Sequence, residues 1–356
     1  MELRAPTHHQ LRVQNPQAGN WTALIQLQKP TDEYHLMVSA KTPTTLMAAV
    51  AGDPAQRGVG QAVPIYGILT DNRPIAGANV VALVVGPQGS SLQTLFDDGA
   101  HGDGKADDGL YAADFTATTA AGGYVAKIMA VGKNNAGEPF TRVAQVGFNV
   151  RHRALYLWAT DQETALDVAR LLEGNDWLVD RVRLTDVPKL DLRRYALAII
   201  GPDTGYHNLF KAPDIAGLLL QYPLPVLGMG EGGAAFFTLA DLHIGWLNTW
   251  YSDNNAVFAV TPTTRYWQLP YAIAIPAPAP LVELYPKPLT ELGVYMPKPP
   301  SSIELIAREQ QNQEHYPVIR ENRGERGFIL WGYNAGPSQM TASGRELFVN
   351  VTHSLR

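Results

Sequence analysis

The stretch PVLGMGEGGAAFF, residues 225–237, decides the fold of the C-terminal half. An apolar run, Leu224-Pro225-Val226-Leu227, breaks into a glycine-rich turn, and a run of small and aromatic apolar residues follows. That is the grammar of a buried strand turning sharply into a helix. In α/β enzymes such a turn lifts a nucleophile out of the fold at its tip. The tip here is Gly230, which has no side chain, so the stretch reads as an elbow without its reacting group.

The same grammar runs on both sides of it. ALYLWAT (154–160) reads as a buried strand, and Asp161-Gln162-Glu163 then opens a helix whose acidic first turn suits the helix dipole and which stops near Gly174-Asn175. WLVDRVRL (177–184) and YALAIIGPD (195–203) read as strands, APDIAGLLLQY (212–222) and GGAAFFTLADL (232–242) as helices. GFILWGYN (327–334) is one more strand, and a closing helix follows with Thr341 or Ser343 as N-cap. Strands alternating with helices predict a parallel sheet covered on both faces. Residues 245–325 break the pattern: they read as an irregular insertion rich in proline and aromatics, in which YAIAIPAPAPLVELYPKPL (271–289) is not helical but an inserted β or extended excursion.

Upstream the periodicity changes from helical to alternating. Between residues 59 and 150, six or seven short strands are separated by Asn-Arg-Pro, Gly-Pro-Gln-Gly, Asp-Gly and Asn-Asn-Ala-Gly turns. That spacing predicts an immunoglobulin-like sandwich. Residues 1–58 read as a β-rich segment, the end of a further sandwich or a small sheet, with Trp21, Ala23, Ile25 and Leu27 alternating along one strand. The chain is thus expected to be multidomain: 1–58, 59–150 and 151–356.

Composition narrows the function. At 356 residues with net charge −5, the chain lacks the basic face a general nucleic-acid binder needs. There is no cysteine, which removes thiol catalysis, disulfides and cysteine-ligated metal at once. No run reaches the roughly 18 apolar residues of a membrane span. The N-terminus, Met1-Glu2-Leu3-Arg4-Ala5-Pro6, is not a signal peptide, so export would require a signal or domain upstream.

Chemistry has few places to sit. FDDGAHGDGKADDGLY (96–111) packs Asp97, Asp98, Asp103, Asp107 and Asp108 into one glycine-rich loop. Two readings fit: oxygen ligands for Ca²⁺, which takes six to eight of them, or Asp-Gly turns whose carboxylates cap backbone N–H groups. After the elbow, Glu231 is a candidate base for a bound water, and Asp203, Thr204 and His207 follow a strand whose carboxyl end borders the crevice of such a sheet. The same residues also read as a carboxylate at a helix start and a surface-loop histidine. Trp246, Trp250, Tyr251, Tyr266, Trp267, Tyr271 and Tyr295 crowd the insertion, either as filling against the sheet or as a platform for a glycan.

Two resemblances add to this reading. TLFDDGAHGDGKADDGLYAADF, with GGYVAKIMAVG and a closing FNV, resembles an immunoglobulin-like module of bacterial surface and secreted proteins of the choice-of-anchor group; NPQAGNWTALIQ resembles the strand that precedes it. This resemblance spans about residues 12–150 and implies export and a modular surface architecture. Residues 152–356 resemble the class I glutamine amidotransferase-like fold, a flavodoxin-like sheet, through RALYLW, YALAIIGPDTG, PVLGMGEGGAAFF and GFILWGYNAGPSQMTASGRELFVNV. The resemblance places Gly230 at the position of that family's cysteine, and Tyr333 and Asn334 near its His-x-Glu pair. Nucleophile and base are both missing. The expectation is a non-catalytic scaffolding or ligand-binding region of an exported bacterial surface protein, whose partners are other domains of a longer polypeptide, surface proteins or a glycan. The alternatives are a hydrolase using Glu231 or a bound metal, and a carbohydrate-binding module.

Overall fold

The computed structural model describes residues 2–5, 8–11, 13, 43–54, 57–205, 207–210 and 214–356. The chain divides into two units, residues 1–42 and 43–356. In the first, strands β1 (Glu2–Ala5) and β2 (His8–Leu11) pair antiparallel. The strand expected around Trp21, Ala23, Ile25 and Leu27, and the stretch NPQAGNWTALIQ, lie outside the described residues.

The second unit opens with the sandwich. One sheet has the order β3 (Thr44–Val50), β4 (Val63–Asp71), β7 (Leu110–Phe115), and the other β6 (Gly89–Leu95), β5 (Asn79–Gly86), β8 (Gly122–Lys133), β9 (Pro139–Val150). Strict alternation in β4 and β8 sends Val63, Ile65 and Leu69 against Tyr124, Ala126, Ile128 and Ala130. With no disulfide between the sheets, aromatic packing takes its place: Phe115 of β7 meets Tyr124 and Phe148 of the facing sheet edge-on, with ring centroids 6.1 and 6.4 Å apart. The sandwich begins earlier than the expected boundary at residue 59, because β3 pairs with β4 along its whole length. The strand's solvent-leaning pattern hid it, since only its partner completes the sheet.

From residue 152 the chain builds a nine-stranded mixed sheet. Its first half contains β10 (His152–Trp158), β11 (Trp177–Arg183), β12 (Leu197–Ile200), β13 (Val226–Met229) and β21 (Arg326–Trp331), all parallel in the order β11-β10-β12-β13-β21. Numbered by appearance that is 2-1-3-4-5, the flavodoxin-like order. Helices α1 (Gln162–Glu173), α2 (Ile215–Leu220), α3 (Gly230–Leu239) and, at the end of the chain, α5 (Ala342–His353) accompany these strands. Asp161 caps α1 by accepting from Thr164 N, and Thr341, not Ser343, caps α5 by accepting from Gly344 N.

The insertion is not irregular. Between β13 and β21 lie β14 (Thr249–Asn254), β15 (Ala256–Ala259), a single helical turn α4 (Arg265–Gln268), β16 (Leu281–Glu283), β17 (Leu289–Tyr295), β18 (Ile303–Glu309), β19 (His315–Tyr316) and β20 (Val318–Arg323). Strands β20, β18, β15 and β16 continue the large sheet antiparallel beyond β21, while β14, β17 and β19 form a small second sheet. Proline limits the runs between strands without abolishing pairing, because the strands themselves, such as LTELGVY and IELIARE, contain none. Asn350 of α5, fully buried, ties the α4 region down by donating to Tyr266 O and Tyr271 O and accepting from Tyr271 N. Among the described residues no helix is long and apolar enough to cross a membrane.

Candidate functional site

Strand β13 is buried along its length and passes directly into α3. The glycines between them each answer a steric demand. A Cβ on Gly233 would stand 2.5 Å from Gly228 Cα, so the helix can lie this close to the strand only without one. A Cβ on Gly232 would overlap Gly201 O and Thr204 Oγ1, at the turn after β12. Gly230 sits at φ +44°, in the left-handed region that side chains avoid.

The tip of the elbow is occupied from elsewhere in the chain. Met229, the N-cap of α3, offers no side-chain acceptor. Asn334, just beyond β21, supplies one: its Oδ1 accepts from Glu231 N at 3.1 Å. A Cβ on Gly230 would overlap this same Oδ1. The carboxamide therefore fills the position a nucleophile's side chain would take. Tyr333 next to it is fully buried, with its hydroxyl meeting no partner and burial holding it well above the ordinary tyrosine value.

Strand order reverses between β10 and β12, and their carboxyl ends form the switch point where this class of sheet binds ligands. Asp203 fills it. Its Oδ2 accepts from Ala159 N, Thr160 N and Asp161 N at 2.9, 2.6 and 2.7 Å, so three backbone donors of the β10–α1 turn close on the protein's own carboxylate. Its Oδ1 and the Tyr156 hydroxyl are both buried there without a protein partner. Burial, then the Asp203 charge, keeps Tyr156 protonated far above the usual range. Asp203 thus anchors the turn through Oδ2.

Glu231 is half-buried beside the elbow, and Tyr251 donates to its Oε1 at 3.4 Å. Burial, followed by the Glu231 charge, raises the Tyr251 phenol. The structure thus brings Glu231, Asn334 and Tyr251 together, and Asp203 stands one turn away across Gly232 and Thr204. The side chain of His207 lies outside the described residues. Asn334 and Tyr251 were missed as partners of Glu231 because neither is near it in sequence.

The acidic loop closes on itself. Asp97 accepts from Asp108 N and Gly109 N at 3.1 and 3.0 Å; Asp98 accepts from Ala100 N and faces His101 Nδ1 at 2.9 Å. Asp103, 1% exposed, accepts from Gly99 N at 2.7 Å, and Asp108 accepts from Leu110 N. Asp107 takes a left-handed φ of +61°. Burial raises the Asp97 carboxyl despite its two backbone donors, whereas the His101 hydrogen bond lowers Asp98. Among the described residues no three acidic or histidine side chains are grouped so as to hold a metal. Four of the five aspartates, Asp97, Asp98, Asp103 and Asp108, thus cap backbone N–H groups of their own loop. Asp97→Ala, which strands two backbone donors, is expected to cost about 1–3 kcal/mol, read by thermal unfolding. EDTA should leave the wild-type transition in place. A rise of about 2.7 kcal/mol at a hundredfold excess of Ca²⁺ over Kd would instead show the carboxylates regrouping around a cation.

The aromatics of the insertion divide into two sets. Tyr266 and Trp267 are core, packed with Tyr285, Trp331 and Phe348. Trp250 and Tyr251 are 62% and 61% exposed on the edge strand β14, and Tyr295 is exposed on β17.

Comparison with known proteins bears on the sandwich and on the α/β domain separately. Residues 44–150 match the family of the second immunoglobulin-like domain of conditioned medium factor. No curated protein matches the chain. Among solved structures, a proposed GMP synthase component from Thermoplasma acidophilum is similar at 12% identity and TM-score 0.38, covering 57% of this chain and 96% of that one. A glutamine amidotransferase from Thermotoga maritima is similar at 12% identity and TM-score 0.32, covering 57% and 83%. A multi-modular cell-surface-expressed chitinase from Paenibacillus is similar at 11% identity and TM-score 0.20, covering 54% of this chain and 17% of that one. The fold of the α/β domain rests on its strand order rather than on these scores.

Proposed function

We propose that the chain is a non-catalytic scaffolding or ligand-binding region of an exported bacterial surface protein, its α/β domain retaining an elbow that no longer reacts. The observation that carries the reading is Asn334: its carboxamide caps α3 and occupies the space over Gly230. Preorganised donors stabilise a transition state only if they are free to receive its charge. At the elbow the Glu231 N–H, and at the switch point three further N–H groups, are already committed to side chains of the protein.

The sandwich supports the same reading independently. The outer face of its four-stranded sheet carries Leu83, Val85, Leu92, Val125, Met129 and Val143, all exposed. They are neighbours in register, Leu83 opposite Leu92, Val85 opposite Val125 and Met129 opposite Val143. A contiguous apolar face of this kind is what a neighbouring domain or surface protein would cover.

The test is a substrate panel. Wild-type protein incubated with glutamine and with simple ester and amide substrates is expected to give no turnover above buffer. Turnover that Glu231→Gln abolishes would replace the scaffold reading with the hydrolase one, with Glu231 as base beside the Tyr251 hydroxyl.

A further inference from the structure

Two chain crossings between the sheets occur at one corner of the α/β domain. Strand β14 ends at Asn254 in the small sheet and β15 begins at Ala256 in the large one; β18 ends at Glu309 in the large sheet and β19 begins at His315 in the small one. The middle strand of the small sheet, β17, places Glu291 in the same corner. Glu291 is 1% exposed and Glu309 2%. Period-two reading would send Glu291 to solvent along with Tyr295, but the crossings cover it.

The two buried carboxyls share one space, since Glu309 reaches over Gly293, two residues from Glu291 on the same face of β17. Asn254 Nδ2 donates to Glu291 Oε1 at 3.4 Å, while Glu291 Oε2 meets no donor of the protein. Glu309 Oε1 lies 3.3 Å from His315 Nδ1 and only 2.6 Å from where a Cβ on Gly293 would stand, so the glycine makes room for it. Tyr333, paired with Glu291 through a backbone bridge, has the Tyr285 ring tilted against its own at 4.7 Å, and burial followed by the Glu291 charge holds its phenol protonated. Arg308, next to Glu309 on β18, turns its guanidinium over Phe258 at 4.3 Å. Two carboxylates this close in a buried site cannot both be charged. A proton between them turns the orphaned Oε2 into half of a hydrogen bond.

We infer that this corner is a proton-operated latch: one proton shared by Glu291 and Glu309 holds the small sheet against the large one, and its loss as pH rises loosens β14, β17 and β19. Burial, followed by the Glu309 contact, raises Glu291 well above its ordinary 4.5. Between the unfolded and folded values the docked state binds the extra proton. Its stability is therefore full below the unfolded value and falls as pH climbs toward the folded one.

Hydrogen exchange of the full chain across a pH series, corrected for intrinsic rates, reads this directly, with β8 of the sandwich as the internal reference. Within the window, protection of β14, β17 and β19 relative to β8 should fall up to tenfold per pH unit, the equivalent of one proton. Glu291→Gln keeps a neutral donor toward Glu309 and should flatten that slope while retaining protection. Glu309→Gln should flatten it too, and serves if the first variant does not fold. His315→Gln should keep the slope, since it leaves both carboxyls in place. A wild-type slope of zero, or a Gln variant with the wild-type slope, would overturn the latch.

Discussion

Gly233→Ala is expected to destabilise the α/β domain by about 3 kcal/mol or more, the upper end of what overpacking costs. Two effects of opposite sign compete at this position. Replacing glycine by alanine inside a helix ordinarily stabilises by up to about 1 kcal/mol through the unfolded chain and helix propensity. Against that, the new methyl would stand 2.5 Å from Gly228 Cα. The obstruction is backbone of a fully buried strand, not the end of a side chain that can swing aside. Relief requires α3 to back away from β13, which would open gaps around Phe236 and Phe237 on the same helix. The clash therefore decides the sign. Urea or thermal unfolding followed by far-UV circular dichroism measures it, and a variant as stable as wild type would mean that strand and helix do not approach as described.

This contact also marks how far the sequence could be read. Glycines between an apolar strand and a small apolar helix are a local signal, so the elbow at 225–237 and the vacant tip at Gly230 were legible. The cap of α5 was legible to within two residues for the same reason, lying three residues before the N–H group it accepts from. What fills the site was not. Asn334 reaches Glu231 from 103 residues away, and Asp203 closes a turn more than forty residues upstream. Neither distance leaves a periodic trace. The insertion was read only in part for a different reason: proline and aromatics do resemble irregular chain, yet its strands need only two to seven uninterrupted residues once a partner edge is available. The edge of β21 provided it through β20. Glu291 was passed over because alternation along LTELGVY assigns its face to water, and only the two crossings at Asn254 and Glu309 remove the water.

Gly230→Ala and Gly230→Cys test the elbow itself. A side chain at φ +44° costs about 1–2 kcal/mol, and the Cβ must displace the Asn334 carboxamide, which forfeits a helix cap of about 1 kcal/mol. The sum is an expected loss of about 2–3 kcal/mol. The two contributions separate in a double-mutant cycle. Asn334→Ala alone should cost only the cap, and Gly230→Ala placed on that background should cost only the backbone strain, leaving a coupling of about 1 kcal/mol. A coupling near zero would mean that Asn334 does not occupy the tip. Chemistry gives the second readout. Cysteine at 230 would place a thiol at the N-terminus of α3, where the helix dipole favours its thiolate. A thiolate alone does not complete an acyl transfer, because the leaving amine needs a proton. The group that meets the tip is an amide, which neither takes nor returns one. Gly230→Cys is accordingly expected to react with thiol-specific reagents while showing no turnover of glutamine, esters or amides. Turnover in that variant would reveal a proton donor at the elbow and would end the non-catalytic reading of the domain, whatever the stability of the protein.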